Sequence, residues 1–388
     1  MTNDTKSQYN EFMIIWEDSQ ELFAKGKKKV IKGKCMKKTW IITAALFIAA
    51  IALLAASRII PGFSEWYVQT IYPIIVGTIG RVMGWFLFSV VEFGLYAACL
   101  WIVWTLFRWI RRPMKIVRRY ALFVSGVLFL YAACCGVNYY RTPFSYYYMM
   151  QKVNAGVPKT KEQEKETDEI LKELCTWLTI KVNEARVDLD VGENMYGDLQ
   201  TKGVTAMKRL AKQYPALSGH YPKAKPVMIS DILSIQQCSG VYSPFTVEAN
   251  YNRDMVSYNI PHTICHEMSH LRGFMREDEA NFIGYLACLG AEDADYRYSG
   301  YLLGWIYAGN ALAKVDYEQY VENYSMLSDP VIADLEANHD FWEQYEGQVA
   351  NVQETVNDAY LKANGQAEGV RTYGRVVDLM ILDFQYRK

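Results

Sequence analysis

Three long apolar stretches in the first third of the chain constrain its fold more than any other feature. Trp40 to Ser57 carries no charge, Met83 to Phe107 carries only Glu92, and Ala121 to Val137 carries none. Each is long enough, or nearly so, to cross about 30 Å of hydrocarbon as a helix. Buried core helices rarely run so long without a polar face, so these segments read as transmembrane helices. The chain-wide averages, 51% hydrophobic residues and a net charge of −1 over 388 residues, conceal this division. The first apolar run begins near residue 40 and is not followed by a small-residue cleavage site, which sets it apart from a signal peptide.

Lysine and arginine set the expected orientation. Eight lysines crowd Lys25 to Lys38, and the link between the second and third runs holds Arg108, Arg111, Arg112, Lys115, Arg118 and Arg119. The link between the first and second runs has only Arg58 and Arg81, at its edges. The expected organisation is a basic cytoplasmic segment 1–38, a membrane domain 39–140 with three helices, and an extracytoplasmic domain 141–388, in a bacterial plasma membrane. Residues 61–80 are apolar and aromatic but broken by Pro73 and Gly77, which reads as an interfacial or re-entrant segment. Glu92 is costly inside a membrane and is expected to face a partner helix or water near one end, with no chemistry assigned to it. The lipid bilayer is therefore an expected partner. No nucleic-acid partner is expected, and oligomeric state is not legible.

The chemistry is concentrated between His262 and Asn281, HTICHEMSHLRGFMREDEAN. His266-Glu267-Met268-Ser269-His270 is an HExxH match. On a helix, residues four apart share a face, so both imidazoles can reach one Zn²⁺. Glu267 lies beside them and can take a proton from a water that the metal activates. A bare HExxH also occurs on ordinary solvated helices. Here three of the five histidines fall within nine residues, Pro261 suits a first helical turn, and Glu277-Asp278-Glu279 reads as the acidic opening of the next helix. The third ligand is Glu277 or Glu279; spacing leaves both open. Glu277-x-x-Ala280-Asn281 resembles the glutamate helix of the gluzincins, in which the pattern is Glu-x-x-Ala-Asp. That resemblance implies Glu277 as ligand and Asn281 as the support of a ligating histidine. His262 is a weaker candidate, more often packed than ligating. Gly273 would let the chain turn back toward the metal. Arg276 stands where a metzincin needs a ligand, which excludes that class.

The outer segment reads as helices over Thr160–Glu184 and about Met195–Gln213, strand-like pieces at Pro226–Ile229 and Tyr242–Asn250, and helices from residue 276 onward. The eight cysteines show no CxxC and no framework spacing; an outer-domain disulfide is permitted but not deducible, and Cys265 reads as a packed thiol. The apolar spans are followed by Pro244-Phe245-Thr246-Val247-Glu248-Ala249-Asn250, HExxH with Gly273-Phe274, Glu277-Asp278-Glu279-Ala280-Asn281-Phe282, and Tyr373-Gly374-Arg375-Val376-Val377-Asp378. In this combination the chain resembles the bacterial domain-of-unknown-function 3810 family from residue 40 onward. The resemblance implies a mainly α protein: three N-terminal transmembrane helices, then an α+β zincin-like, gluzincin-type domain with a small sheet. It also implies a membrane-anchored zinc metallopeptidase acting on a peptide or protein substrate. Tyr373 and Arg375 are candidate oxyanion donors, Arg375 more readily as a structural ion pair with Asp378. Two other functions compete: a non-catalytic sensor or scaffold, against which Glu267 argues, and a zinc hydrolase of a non-peptide cell-envelope bond.

Overall fold

The computed structural model describes residues 27, 37–109, 113–154, 167–189, 198–366 and 375–387. The basic segment 1–38, save Lys27, Lys37 and Lys38, lies outside the described residues, as do Arg111, Arg112, Tyr373 and the starts of the helices expected from Thr160 and Met195. Among the described residues the chain is mainly helical with one small sheet. It divides into two compact units, Met1–Ala52 with Trp101–Phe129, and Leu53–Leu100 with Leu130–Lys388.

Among the described residues three helices are long and apolar enough to cross a membrane: Lys37–Ile59, Val90–Phe107 and Pro113–Tyr140. The first is α1 (Lys37–Ile59), followed by the short α2 (Phe63–Thr70). The second is α3 (Val90–Trp109), and the third opens as α4 (Pro113–Tyr131) before loosening into a π turn over Ala132–Gly136. The second run is shorter than the sequence predicts. Gly84 to Ser89 is irregular, so Glu92 sits in the first turn of α3 rather than inside it. In the smaller unit α3 and α4 meet through the stacked rings of Trp101 and Tyr120, 4.7 Å apart, and a 2.6 Å hydrogen bond between Thr105 Oγ1 and the Tyr120 hydroxyl.

The larger unit continues with α5 (Phe144–Asn154), α6 (Thr167–Asp188) and α7 (Leu199–Gln213), the last capped by Asp198, whose side chain accepts the Thr201 N–H. A three-stranded sheet follows, in the order β1 (Lys225–Pro226), β3 (Glu248–Tyr251), β2 (Gly240–Ser243). β1 pairs parallel with β3 and β2 antiparallel, so β2 is an edge. The expected strand Tyr242–Asn250 is in fact a hairpin. Pro244 to Val247 form its turn, with Val247 in the left-handed region at φ 56°. The piece Pro226–Ile229 is strand only at its first residue.

Next come α8 (Ile260–His270), α9 (Glu277–Leu289), α10 (Ala294–Val315), α11 (Tyr317–Ser325), α12 (Asp329–Glu343), α13 (Gln348–Ala363) and α14 (Val376–Arg387). α8 is the centre of the core. It packs on α7, α9, α10, β2 and β3, and Ile264, Cys265 and Met268 are wholly buried. Surrounded on so many sides, α8 is held by burial rather than by intrinsic helix propensity. The described cysteines are all free thiols.

Two buried carboxylates tie the sheet region to the start of α3. Glu248 accepts the Val90 and Val91 N–H groups at 3.2 and 3.0 Å and pairs with Lys225. Glu92 accepts the Met228 and Ile229 N–H groups at 2.8 and 3.0 Å and the Tyr96 hydroxyl at 2.5 Å. Glu248 thus satisfies orphan donors at a helix start, where negative charge is favoured. The segment 61–80 packs inward as well: Tyr67, Val68, Tyr72 and Val76 are buried.

Candidate metal centre

Pro261 stands in the first turn of α8, where its missing N–H costs nothing, and the helix ends at His270. Gly273 then takes φ 82°, the left-handed conformation that reverses a chain after a helix. The reversal brings the Phe274 carbonyl back to 2.6 Å from His270 Nδ1 and delivers Arg276 in an extended conformation as the N-cap of α9. Glu277, the first residue of α9, therefore arrives beside the two histidines.

One ring nitrogen each of His266 and His270 and a carboxylate oxygen of Glu277 lie within 4.8 Å of one another. Glu277 Oε2 is 3.1 Å from His266 Nε2, and its Oε1 is 3.9 Å from His270 Nε2. Each imidazole commits its Nδ1–H elsewhere, His266 to Asn281 Oδ1 at 2.7 Å and His270 to the Phe274 carbonyl. Both Nε2 atoms therefore face Glu277, and the 3.1 Å contact is made by a protonated His266 donating to its carboxylate. Two imidazole nitrogens and one carboxylate are donor types that could hold a transition metal such as zinc, and imidazole argues against magnesium or calcium. Glu279 does not join them: its Oε1 accepts the Phe144 N–H at 3.0 Å. His262 turns away too, its Nε2 3.1 Å from the Asn281 carbonyl oxygen.

Glu267 is buried beside the triad, with Oε1 4.0 Å from His266 Nε2 and Oε2 without a hydrogen-bond partner among the described residues. Gly240, at the start of edge strand β2, makes the space for it. A Cβ there would lie 2.6 Å from Glu267 Oε1 and 2.8 Å from the Asn250 carbonyl oxygen.

The charges follow from burial and proximity. Burial pushes the Glu267 carboxyl up to about 8, opposed by His266 and reinforced by Glu277. Burial alone would lower His266, but Glu277, Glu267 and Asn281 together carry it up to about 9. His270 falls to about 4 and His262 to about 3, burial leading in both. Glu277 is held below its usual range although burial opposes this, because His266 hydrogen-bonds and charges it favourably. Glu279 rises to about 8 through burial and its neighbour Asp278.

The triad lines a cleft of about 1030 Å³, with Glu267, the β2 edge, Cys238, Tyr307 and one face of α13. Arg375 is exposed at the start of α14, does not line this cleft, and contributes its charge to Asp278. Tyr373 lies outside the described residues. The sequence reading missed several neighbours. Tyr307 reaches the cleft from α10 and is raised by burial and then by Glu277. Tyr72, from the segment 61–80, donates its hydroxyl to the His270 carbonyl at 3.1 Å and lies 2.8 Å from the Tyr242 hydroxyl. Arg141 donates to the Arg272 carbonyl at 2.5 Å and stacks over Phe274, bracing the turn that follows α8. None of these carries a motif; only long-range packing reveals them.

The profile of the family described as "Protein of unknown function (DUF3810)" matches residues 67–381. No curated protein and no solved structure matches the chain.

Proposed function

The chain belongs to the DUF3810 family, and we propose that it is a membrane-anchored zinc-dependent metallopeptidase. The observation that carries this reading is the convergence of His266, His270 and Glu277, with Glu267 presenting an unpartnered buried carboxylate oxygen into the same cleft. A structural zinc site has no use for such a group. Zinc, when bound there, supplies Lewis-acid polarisation of a scissile carbonyl and a lowered water pKa.

The chain's own residues do the rest. His270, and His266 once its extra proton is displaced, present Nε2 atoms whose direction is fixed by the Phe274 carbonyl and Asn281. Glu267 takes a proton from water and delivers it to the departing amine, so that water adds across the C–N bond and a carboxyl and an amine leave. β2, an edge of the sheet among the described residues, borders the cleft beside that carboxylate, where an extended peptide could add as a further strand. The lysine and arginine bias puts the N-terminus in the cytoplasm and the domain outside, in a multi-pass bacterial plasma-membrane protein.

The test is Glu267→Gln in the full chain, assayed on a peptide mixture in lipid nanodiscs. Bound zinc should stay at one equivalent and the fold intact, while hydrolysis falls by about 10²–10⁴. Unchanged turnover in the variant would remove the proposed chemistry.

A further inference from the structure

The cleft shares its walls with the parts of the chain built for lipid. Cys135 and Tyr139 line it, and both belong to the apolar run Pro113–Tyr140. The C-terminal end of α13, whose face forms another part of the lining, is fastened to the ends of two apolar helices. Tyr360 Oη lies 3.3 Å from Cys135 Sγ, the Tyr131 hydroxyl donates to Asn364 at 2.5 Å, and Arg58, at the end of α1, donates to the Ala363 carbonyl at 3.4 Å.

The β2 rim has the same association. The segment leading into β2 is bound through Met228 and Ile229 to Glu92, in the first turn of α3. At and past that clamp the chain leaves Ile229, Ile232 and Ile235 exposed, Ile232 at 47%, and the first turns of α3 expose Phe93 and Leu95. Apolar side chains at the start of an apolar helix suit the headgroup and upper acyl region. Both the β2 rim and the Cys135–Tyr139 wall are thus set at the level where apolar helices end.

We propose that the substrates are polypeptides held at the bilayer, cut in the extended segment that adjoins their membrane anchor. This rests on the peptidase reading above. A polypeptide leaving the bilayer passes along the β2 rim, and anchoring replaces a three-dimensional search with a high local concentration. About ten extended residues reach roughly 35 Å, so cuts should cluster within that length of the anchor.

The experiment uses the zinc-loaded full chain in phosphatidylcholine–phosphatidylglycerol vesicles. The probe is one randomised decapeptide library in three forms: free, N-terminally palmitoylated, and fused to a transmembrane helix. Glu267→Gln serves as the blank, and products are read by mass spectrometry. Cleavage of at least one anchored form about tenfold or more above the free library is expected; which anchored form responds identifies the source. Equal rates for free and anchored libraries would overturn this proposal and leave the peptidase reading standing. No turnover of any form would remove both. An independent readout needs no activity: a nitroxide at Ile232→Cys, with Cys35, Cys99 and Cys238 replaced by serine. Collision with oxygen over an aqueous nickel chelate is expected, and a water-like profile would overturn the proposal whatever the library shows.

Discussion

The side of the cleft that carries the candidate metal ligands and the rest of its lining are built in opposite ways. The first comes from one continuous stretch, His266 to Asn281, in which a helix, a glycine turn and a second helix place every donor. The second is gathered from the end of the third apolar helix, the β2 edge, α10 and α13, segments spread along the chain from Cys135 to Tyr360. Groups that must meet within a few ångströms are most simply fixed by short-range geometry. A surface that recognises a large ligand needs area, and area comes from wherever the fold supplies it. Changes on the first side should therefore abolish, and changes on the second, Gly240 beside Glu267 excepted, should tune.

The largest effects belong to the ligands. His266→Ala, His270→Ala or Glu277→Ala should each lose tightly bound zinc, measured as metal content after gel filtration. Glu279→Ala should keep its zinc and instead lose about 1–3 kcal/mol of stability, because the buried Phe144 N–H loses its acceptor. If Glu279→Ala emptied the site while Glu277→Ala did not, the two carboxylates would have to exchange roles.

Proton competition comes next. In the metal-free protein His266 is raised to about 9 and must be neutral to ligate, whereas His270, at about 4, already is. The sign follows: apparent zinc affinity rises with pH, about tenfold per unit between pH 7 and about 9, and then levels. Competition with a chromophoric chelator across that range checks it, and a flat profile would mean that His266 carries no extra proton. Asn281→Ala removes the acceptor of His266 Nδ1–H and should weaken zinc by about 10–100-fold without emptying the site.

The smallest effects should come from α13. Asn351→Ala or Gln353→Ala, on its cleft face, should raise KM by roughly fivefold, about 1 kcal/mol each, with bound zinc unchanged. A loss of zinc in either would break the division between the two sides.

The same division explains what could be read from the sequence. The α8–Gly273–α9 unit was legible because each piece has a local signature: proline in the first turn, imidazoles four apart, a left-handed glycine and acidic residues opening a helix. The three apolar helices were legible from length and composition. Tyr242–Asn250 misled because its composition suits a strand, while Val247 adopts a left-handed conformation that a β-branched residue rarely takes. Glu92 looked like a charge within a span; its partners, the amides of Met228 and Ile229, lie far along the chain. The segment 61–80 gave no hint that Tyr72 meets the carbonyl of His270. The cleft face of α13 has the composition of any solvated helix.

Gly240 contributes to the candidate site only by what it lacks. Its single hydrogen leaves room on one side for the Glu267 carboxylate and on the other for the Asn250 carbonyl, and the second of these is backbone that a rotamer change cannot move. In a mutational scan such a position would stand beside His266 and His270 in intolerance, although it carries no chemical group. Searches for catalytic residues by side-chain chemistry pass over it. The proposed general base is as much defined by this void as by the glutamate that fills it.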